Sequence, residues 1–170
     1  MLDSETPLGS LFIAGQKRVQ TYLENQGYVV VGTSTKVSES DIILGKRIDG
    51  ELRICGVAEI KTRISAGDQP LTLEYLKKNG GYLITYEKIR YGAQLSVMLK
   101  TPFFVIVSLV AESKILIWKI TDDNGEYLEE IKTKMTQTRK TVNGGVAIRK
   151  NAFLPIETPN LTIINEGSSG

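Results

Sequence analysis

Apolar residues recur at helical spacing over Thr6 to Gly27. Leu8, Leu11, Phe12, Val19 and Leu23 mark one face, and Gln16, Lys17, Arg18, Gln20, Glu24 and Asn25 fill the other. Gly27 supplies a C-terminal stop. Tyr28 to Val31 is a short β-prone run, and the Ser- and Thr-rich residues Gly32 to Ser40 read as a loop. The period then shortens. Asp41 opens the run Ile42, Ile43, Leu44, and Leu52 to Ile60 forms a second strand beyond Asp49-Gly50. That dipeptide is a strong hairpin signal because both central residues must accept positive φ. Ser65 to Pro70 is rich in turn residues, Leu71 to Lys78 has one or two helical turns, and Tyr82 to Ile84 is a brief extended piece. A helix with a broad apolar face spans Glu87 to Lys100, and Pro102 marks its end. Phe103 to Val110 reads as a buried central strand, and Lys114 to Ile120 as a second strong strand.

The pattern weakens after that. Tyr127 to Met135 fits helix or strand. Thr136 to Ile156 reads as a hairpin around Asn143-Gly144-Gly145, and Thr158 to Ile164 as an edge strand or a surface segment. The order predicts an α/β fold, a mixed sheet with helices against its faces and a C-terminal β-hairpin extension. One domain over residues 1–164 with a flexible tail at 165–170 fits the length.

The chemistry gathers between Asp41 and Arg63. In a strand, residues two apart face the same side, so Glu59 and Lys61 point one way and Ile60 the other. The hairpin folds Asp41 back beside Glu59. Two close carboxylates repel unless a cation lies between them. Mg²⁺ takes oxygen ligands, keeps several waters, and is typically held by one or two carboxylates. A neighbouring lysine can then position water or stabilise charge on a phosphate. These are the parts of a metal-dependent phosphodiesterase. The plainer reading is an exposed hairpin end carrying a Glu–Lys pair.

Composition narrows the chemistry further. The 170 residues contain no histidine, which excludes His-based triads, HNH-type nuclease chemistry and His-ligated zinc. Acid–base and metal chemistry must then come from Asp, Glu, Lys or Tyr. The single cysteine, Cys55, has no partner for an internal disulfide and reads as a buried thiol. No signal peptide or membrane-length apolar run is visible, so a cytoplasmic setting is expected, that of a host cell if the chain is of phage origin. The net charge of +2 does not demand nucleic acid, but binding needs only a local basic patch.

With these features assembled, the chain resembles the PD-(D/E)XK nuclease superfamily. The resemblance rests on Ser40-Asp41 heading one strand, Glu59-Ile60-Lys61 ending the next, and the helix-then-strand segment GAQLSVMLKTPFFVIVSL. It covers roughly Leu8 to Ile120 by order of elements. The proline of the family motif is absent, since Ser40 precedes Asp41. The resemblance implies a restriction-endonuclease-like core and Mg²⁺-dependent cleavage of phosphodiester bonds, usually in DNA, with Mn²⁺ substituting. Asp41 and Glu59 would ligate the metal, the carbonyl of Ile60 would complete the shell, and Lys61 would orient or activate water. Many members carry an acid on the first helix. The matching place here is Gln16, with Glu24 two turns later as the other candidate, and this departure favours one metal over two. Some relatives place a glutamine or lysine on the helix after the motif, and Gln94 is the candidate, with Lys88 behind it.

Phosphate contacts come from basic side chains, small hydroxyls and backbone amides. The candidates are Lys36, Arg63, Lys88, Arg90, Arg139, Lys140, Arg149 and Lys150. Arg63 follows Lys61 by one pleat repeat, and the last four flank the Asn-Gly-Gly turn, where a basic hairpin suits a groove. A basic sheet edge that blocks aggregation is the alternative for the hairpin. RNA stays open as a substrate, and a homodimer follows from the task of cutting two strands. Two other function classes compete: a non-catalytic nucleic-acid-binding or assembly module on the same fold, and a phosphohydrolase of small nucleotides. The latter ranks last, because no Gly-rich phosphate loop is present.

Overall fold

The structure is a computed structural model that describes residues 7–31, 41–137 and 145–166. Helix α1 (Pro7–Asn25) leads through β1 (Val29–Val31) to the hairpin of β2 (Asp41–Ile48) and β3 (Glu51–Arg63). The crossover that follows holds β4 (Ser65–Ala66), β5 (Gln69–Pro70), α2 (Leu73–Lys78), β6 (Tyr82–Thr85) and α3 (Tyr86–Leu99). Then come β7 (Phe103–Leu109), β8 (Lys114–Lys119), β9 (Lys132–Gln137), β10 (Ile148–Leu154) and β11 (Leu161–Asn165). Six strands form the main sheet in the order β1-β2-β3-β7-β8-β11. Among the described strands only β3 and β7 run parallel, and a parallel pair needs the long crossover that joins them.

The long strand β3 organises the sheet because its two faces feed two cores. Ala58 and Ile60 join Val19, Leu23, Ile42, Leu44, Ile106 and Ile115 beneath α1. Val57 joins Ile89, Phe103, Val105, Val107, Leu116 and Trp118 on the opposite face. Helix α1 crosses β3 at Gly15, where a Cβ would lie 2.3 Å from Thr62 Cγ2. On the other face Gly92 of α3 meets the Phe103 ring in the same way. Both crossings need a residue without a side chain.

The β2–β3 hairpin closes as the sequence predicts. Asp49 has φ +52° and Gly50 φ +81°, the left-handed pair that a two-residue hairpin turn requires. One irregularity interrupts the ladder. Leu44 faces Gly56 and Gly45 faces Ile54, so Cys55 is an extra residue, a β-bulge. The Cys55 thiol is half-buried and donates to the Leu44 carbonyl at 3.5 Å, and burial pushes its pKa up. Beyond the bulge the hairpin extends as an arm with Ile48, Leu52 and Ile54 exposed.

A second sheet, β6-β10-β9, packs its Ile84, Ala152 and Leu154 onto the α3 side of the main sheet. The expected C-terminal hairpin is thus β9 and β10, with β6 as its third strand. The ambiguous stretch before it resolves as strand from Lys132. The last segment is the edge strand β11, which runs to Asn165, and Glu166 pairs with Arg18 at 3.1 Å. The fold therefore continues past the boundary expected at residue 164. Among the described residues, no helix is long and apolar enough to cross a membrane.

Candidate active site

The ladder of β2 and β3 places Asp41 directly across from Glu59. Residues opposite one another in an antiparallel pair share a face of the sheet. Asp41 is the first residue of β2, so the pair lies where that strand begins. Glu59 is only 1% exposed. Beside it lie the apolar Val57 on its own strand and Val105 on β7. A carboxylate in such surroundings is costly unless cations accompany it.

Two cations do. Lys61 Nζ lies 2.6 Å from Glu59 Oε1, and Lys88 Nζ of α3 lies 3.8 Å from the same oxygen. Lys61 comes from the same strand, one pleat repeat away, as alternation requires. Lys88 comes from the first turns of α3, which packs against β3 and β7. The repulsion that the sequence argument assigned to a metal is here offset by two ammonium groups. Lys88, named from sequence both behind Gln94 on this helix and among the phosphate contacts, lies at the carboxylate itself.

Ile60 turns its side chain into the core beneath α1, so only its backbone carbonyl could serve a metal. Gln94 is a correction. It is exposed on α3, about 240° around the helix from Lys88, and does not share the face that reaches Glu59. Glu24 is likewise excluded as the helix acid. It accepts a hydrogen bond from Gln20 on the exposed side of α1, more than two turns beyond the crossing at Gly15. Gln16 lies next to that crossing and is half-buried.

The basic candidates separate in space. Arg63 is half-buried, donates from Nη1 to the Thr62 carbonyl at 3.1 Å, and lies over the Tyr82 ring with its guanidinium carbon 5.9 Å from the centroid. Arg90 is exposed and paired with Glu87 at 2.7 Å. Arg149 and Lys150 are exposed on β10, and Lys150 Nζ lies 4.2 Å from the Tyr86 ring centre. Lys36, Arg139 and Lys140 lie outside the described residues.

Sequence reasoning missed Tyr82. Its side chain is 2% exposed, stacks on Trp118 with ring centres 5.7 Å apart, and sits against Arg63. Burial raises the pKa of its hydroxyl, and the Arg63 guanidinium opposes that rise.

Among the described residues, no group of three or more His, Cys, Asp or Glu is placed where it could hold a metal ion. Compared with protein-family models, with curated proteins and with solved structures, the chain matches none.

Proposed function

We propose that this chain is a metal-dependent nuclease that hydrolyses phosphodiester bonds of DNA. The observation that carries the reading is the register of Asp41 against Glu59 with the Lys61 ammonium on the Glu59 carboxylate. The order of α1, β2, β3, α3 and β7 supports a restriction-endonuclease-like core.

Asp41, Glu59 and the Ile60 carbonyl would hold Mg²⁺ or Mn²⁺. The ion supplies Lewis acidity toward a phosphoryl oxygen and makes bound water more acidic. Lys61 leaves the carboxylate to orient the attacking water and to stabilise charge on the phosphate. Lys88 remains as the counter-charge that keeps Glu59 ionised in its apolar setting. Arg63, Arg149 and Lys150 contact the backbone of the substrate. A second copy of the chain would provide the second cut of a duplex.

The test is to incubate the protein with supercoiled plasmid, linear duplex, single-stranded and branched DNA, in Mg²⁺, Mn²⁺ or EDTA. Cleavage that vanishes in EDTA and in Lys61→Ala supports the enzyme. One observation favours a second reading, a non-catalytic nucleic-acid-binding module. Two lysines already accompany the buried Glu59 carboxylate without an ion. Retention on DNA with no cleavage in any metal would establish that reading instead.

A further inference from the structure

Trp118, Tyr82 and Arg63 lie in series beside the candidate site. Trp118 of β8 is fixed first, by donation from Nε1 to the Pro155 carbonyl at 2.8 Å. The Tyr82 ring stacks on Trp118 with an interplanar angle of 23°. The Arg63 guanidinium then lies over the other partner of that stack, 5.9 Å from the Tyr82 centroid. Its Nη1 is tied to the Thr62 carbonyl, which fixes the head group a second time. An arginine on a strand end ordinarily samples many rotamers, and this one is held at two points.

The spacing gives the arrangement a use. Glu59, Lys61 and Arg63 alternate along one face of β3, about 6.6 Å apart per step. That repeat is close to one step of a nucleic-acid backbone. A phosphate at Glu59 and Lys61 therefore puts its neighbour within reach of Arg63. A guanidinium has five N–H donors in a plane suited to phosphate, and the contacts to Thr62 and Tyr82 leave donors for a ligand.

We infer that Tyr82 is a positioning residue, which presents Arg63 as the anchor for the phosphate next to the one that is cut. This rests on the nuclease reading and names how its substrate is placed in register. Tyr82 touches no substrate itself. It acts by holding the plane of Arg63, with Trp118 behind it.

The experiment maps the cut in a defined oligonucleotide duplex, then replaces single flanking phosphates with neutral methylphosphonates. For the wild-type chain, one neutral position beside the cut should raise KM about tenfold, the size of one desolvated cation–π-supported contact. Arg63→Ala should show no penalty at that position. Tyr82→Leu should raise KM by a similar factor with kcat nearly kept, and Tyr82→Phe, which retains the ring, should restore wild-type KM. If Tyr82→Leu fails to fold, Arg63→Lys decides. It keeps the charge but not the plane, and should keep the salt dependence of binding while losing most of the methylphosphonate penalty.

An unchanged penalty in Arg63→Ala, or equal KM in the Leu and Phe variants, overturns the inference. Those results leave the nuclease reading intact if cleavage still requires Glu59. A wild-type chain that neither cuts nor binds any polynucleotide overturns both.

Discussion

Lys88 of α3 and Lys61 of β3 share one oxygen of Glu59, at 3.8 Å and 2.6 Å. The two contacts differ in setting as well as length. The Lys61 side chain is 17% exposed and that of Lys88 33%. Removing one partner of a buried pair strands the other charge, whereas a longer, wetter contact contributes less. Lys61→Met should therefore cost about 3 kcal/mol of stability and Lys88→Met about 1 kcal/mol. Urea unfolding measures both. Equal losses would show that α3 carries as much of the Glu59 charge as β3 does.

A metal would act on the same carboxylate. In Lys61→Met the ammonium no longer competes for Glu59, so Mg²⁺ should raise the Tm of this variant more than that of the wild type. Ligand linkage makes the shift grow with metal concentration. Glu59→Gln should abolish it. The readout needs no catalysis, and a Tm insensitive to Mg²⁺ in Lys61→Met would remove the metal from the proposal.

The crossing of α1 over β3 is steric. Gly15→Ala would bring a Cβ within 2.3 Å of Thr62 Cγ2 and should cost about 1–3 kcal/mol through overpacking. Thr62→Ala in the same chain should recover part of that loss, since it removes the colliding methyl. A double-mutant cycle reads the coupling. Purely additive losses would mean that the helix relaxes away from the strand.

Two carboxylates set opposite pH trends. Glu112 accepts from the Leu73 amide at the start of α2 and pairs with Lys114 at 3.1 Å, and these contacts hold its pKa below the ordinary 4.5. A lowered pKa gives stability that is present above the ordinary value and is lost as pH falls through the folded one. Glu112→Gln should flatten the acid side of the stability curve, at a cost near neutrality of about 1 kcal/mol. Glu166 shifts upward, because burial outweighs Arg18. Its contribution is therefore present below the ordinary value and fades as pH rises through the raised one. Glu166→Gln should leave the acid limb in place.

On β10, Arg149 is exposed and should act as a phosphate contact. Arg149→Ala should weaken DNA binding evenly across sequences and reduce the salt slope by about 1. Loss at one sequence only would indicate base reading.

Most of the main sheet was legible because its signals are local. The Asp-Gly turn, the apolar run of β7 and the alternation of β8 each lie within a few residues. The Asp-Gly turn alone would set Asp41 against Ala58, and the bulge at Cys55 moves it onto Glu59. The second sheet was not legible as a layer, because β6 finds its partner in β10, far along the chain. No short-range pattern encodes that pairing. Lys88 left a weaker trace. It shares a helix face with Leu95 and Leu99, at spacings of seven and eleven, and both pack on the core beside β3. Gln94 was favoured because the resemblance implies a glutamine or lysine on this helix, and helical geometry turns it away from the face that carries Lys88.

The extra residue at Cys55 governs the parity of the hairpin. Along β2 the odd positions Asp41, Gly45 and Arg47 keep one side throughout. Along β3 the partners of that side change from even, at Leu52 and Ile54, to odd, at Glu59. Leu52 indeed lies over Gly45. Deleting Cys55 would force a choice between two frames. Either the arm beyond it flips and sends Leu52 and Ile54 to the opposite side, or the carboxylate of Glu59 rotates under α1 together with Lys61 and leaves Lys88 behind. A single amino acid of length thus separates a chain that can gather this charge cluster from one that buries it in oil.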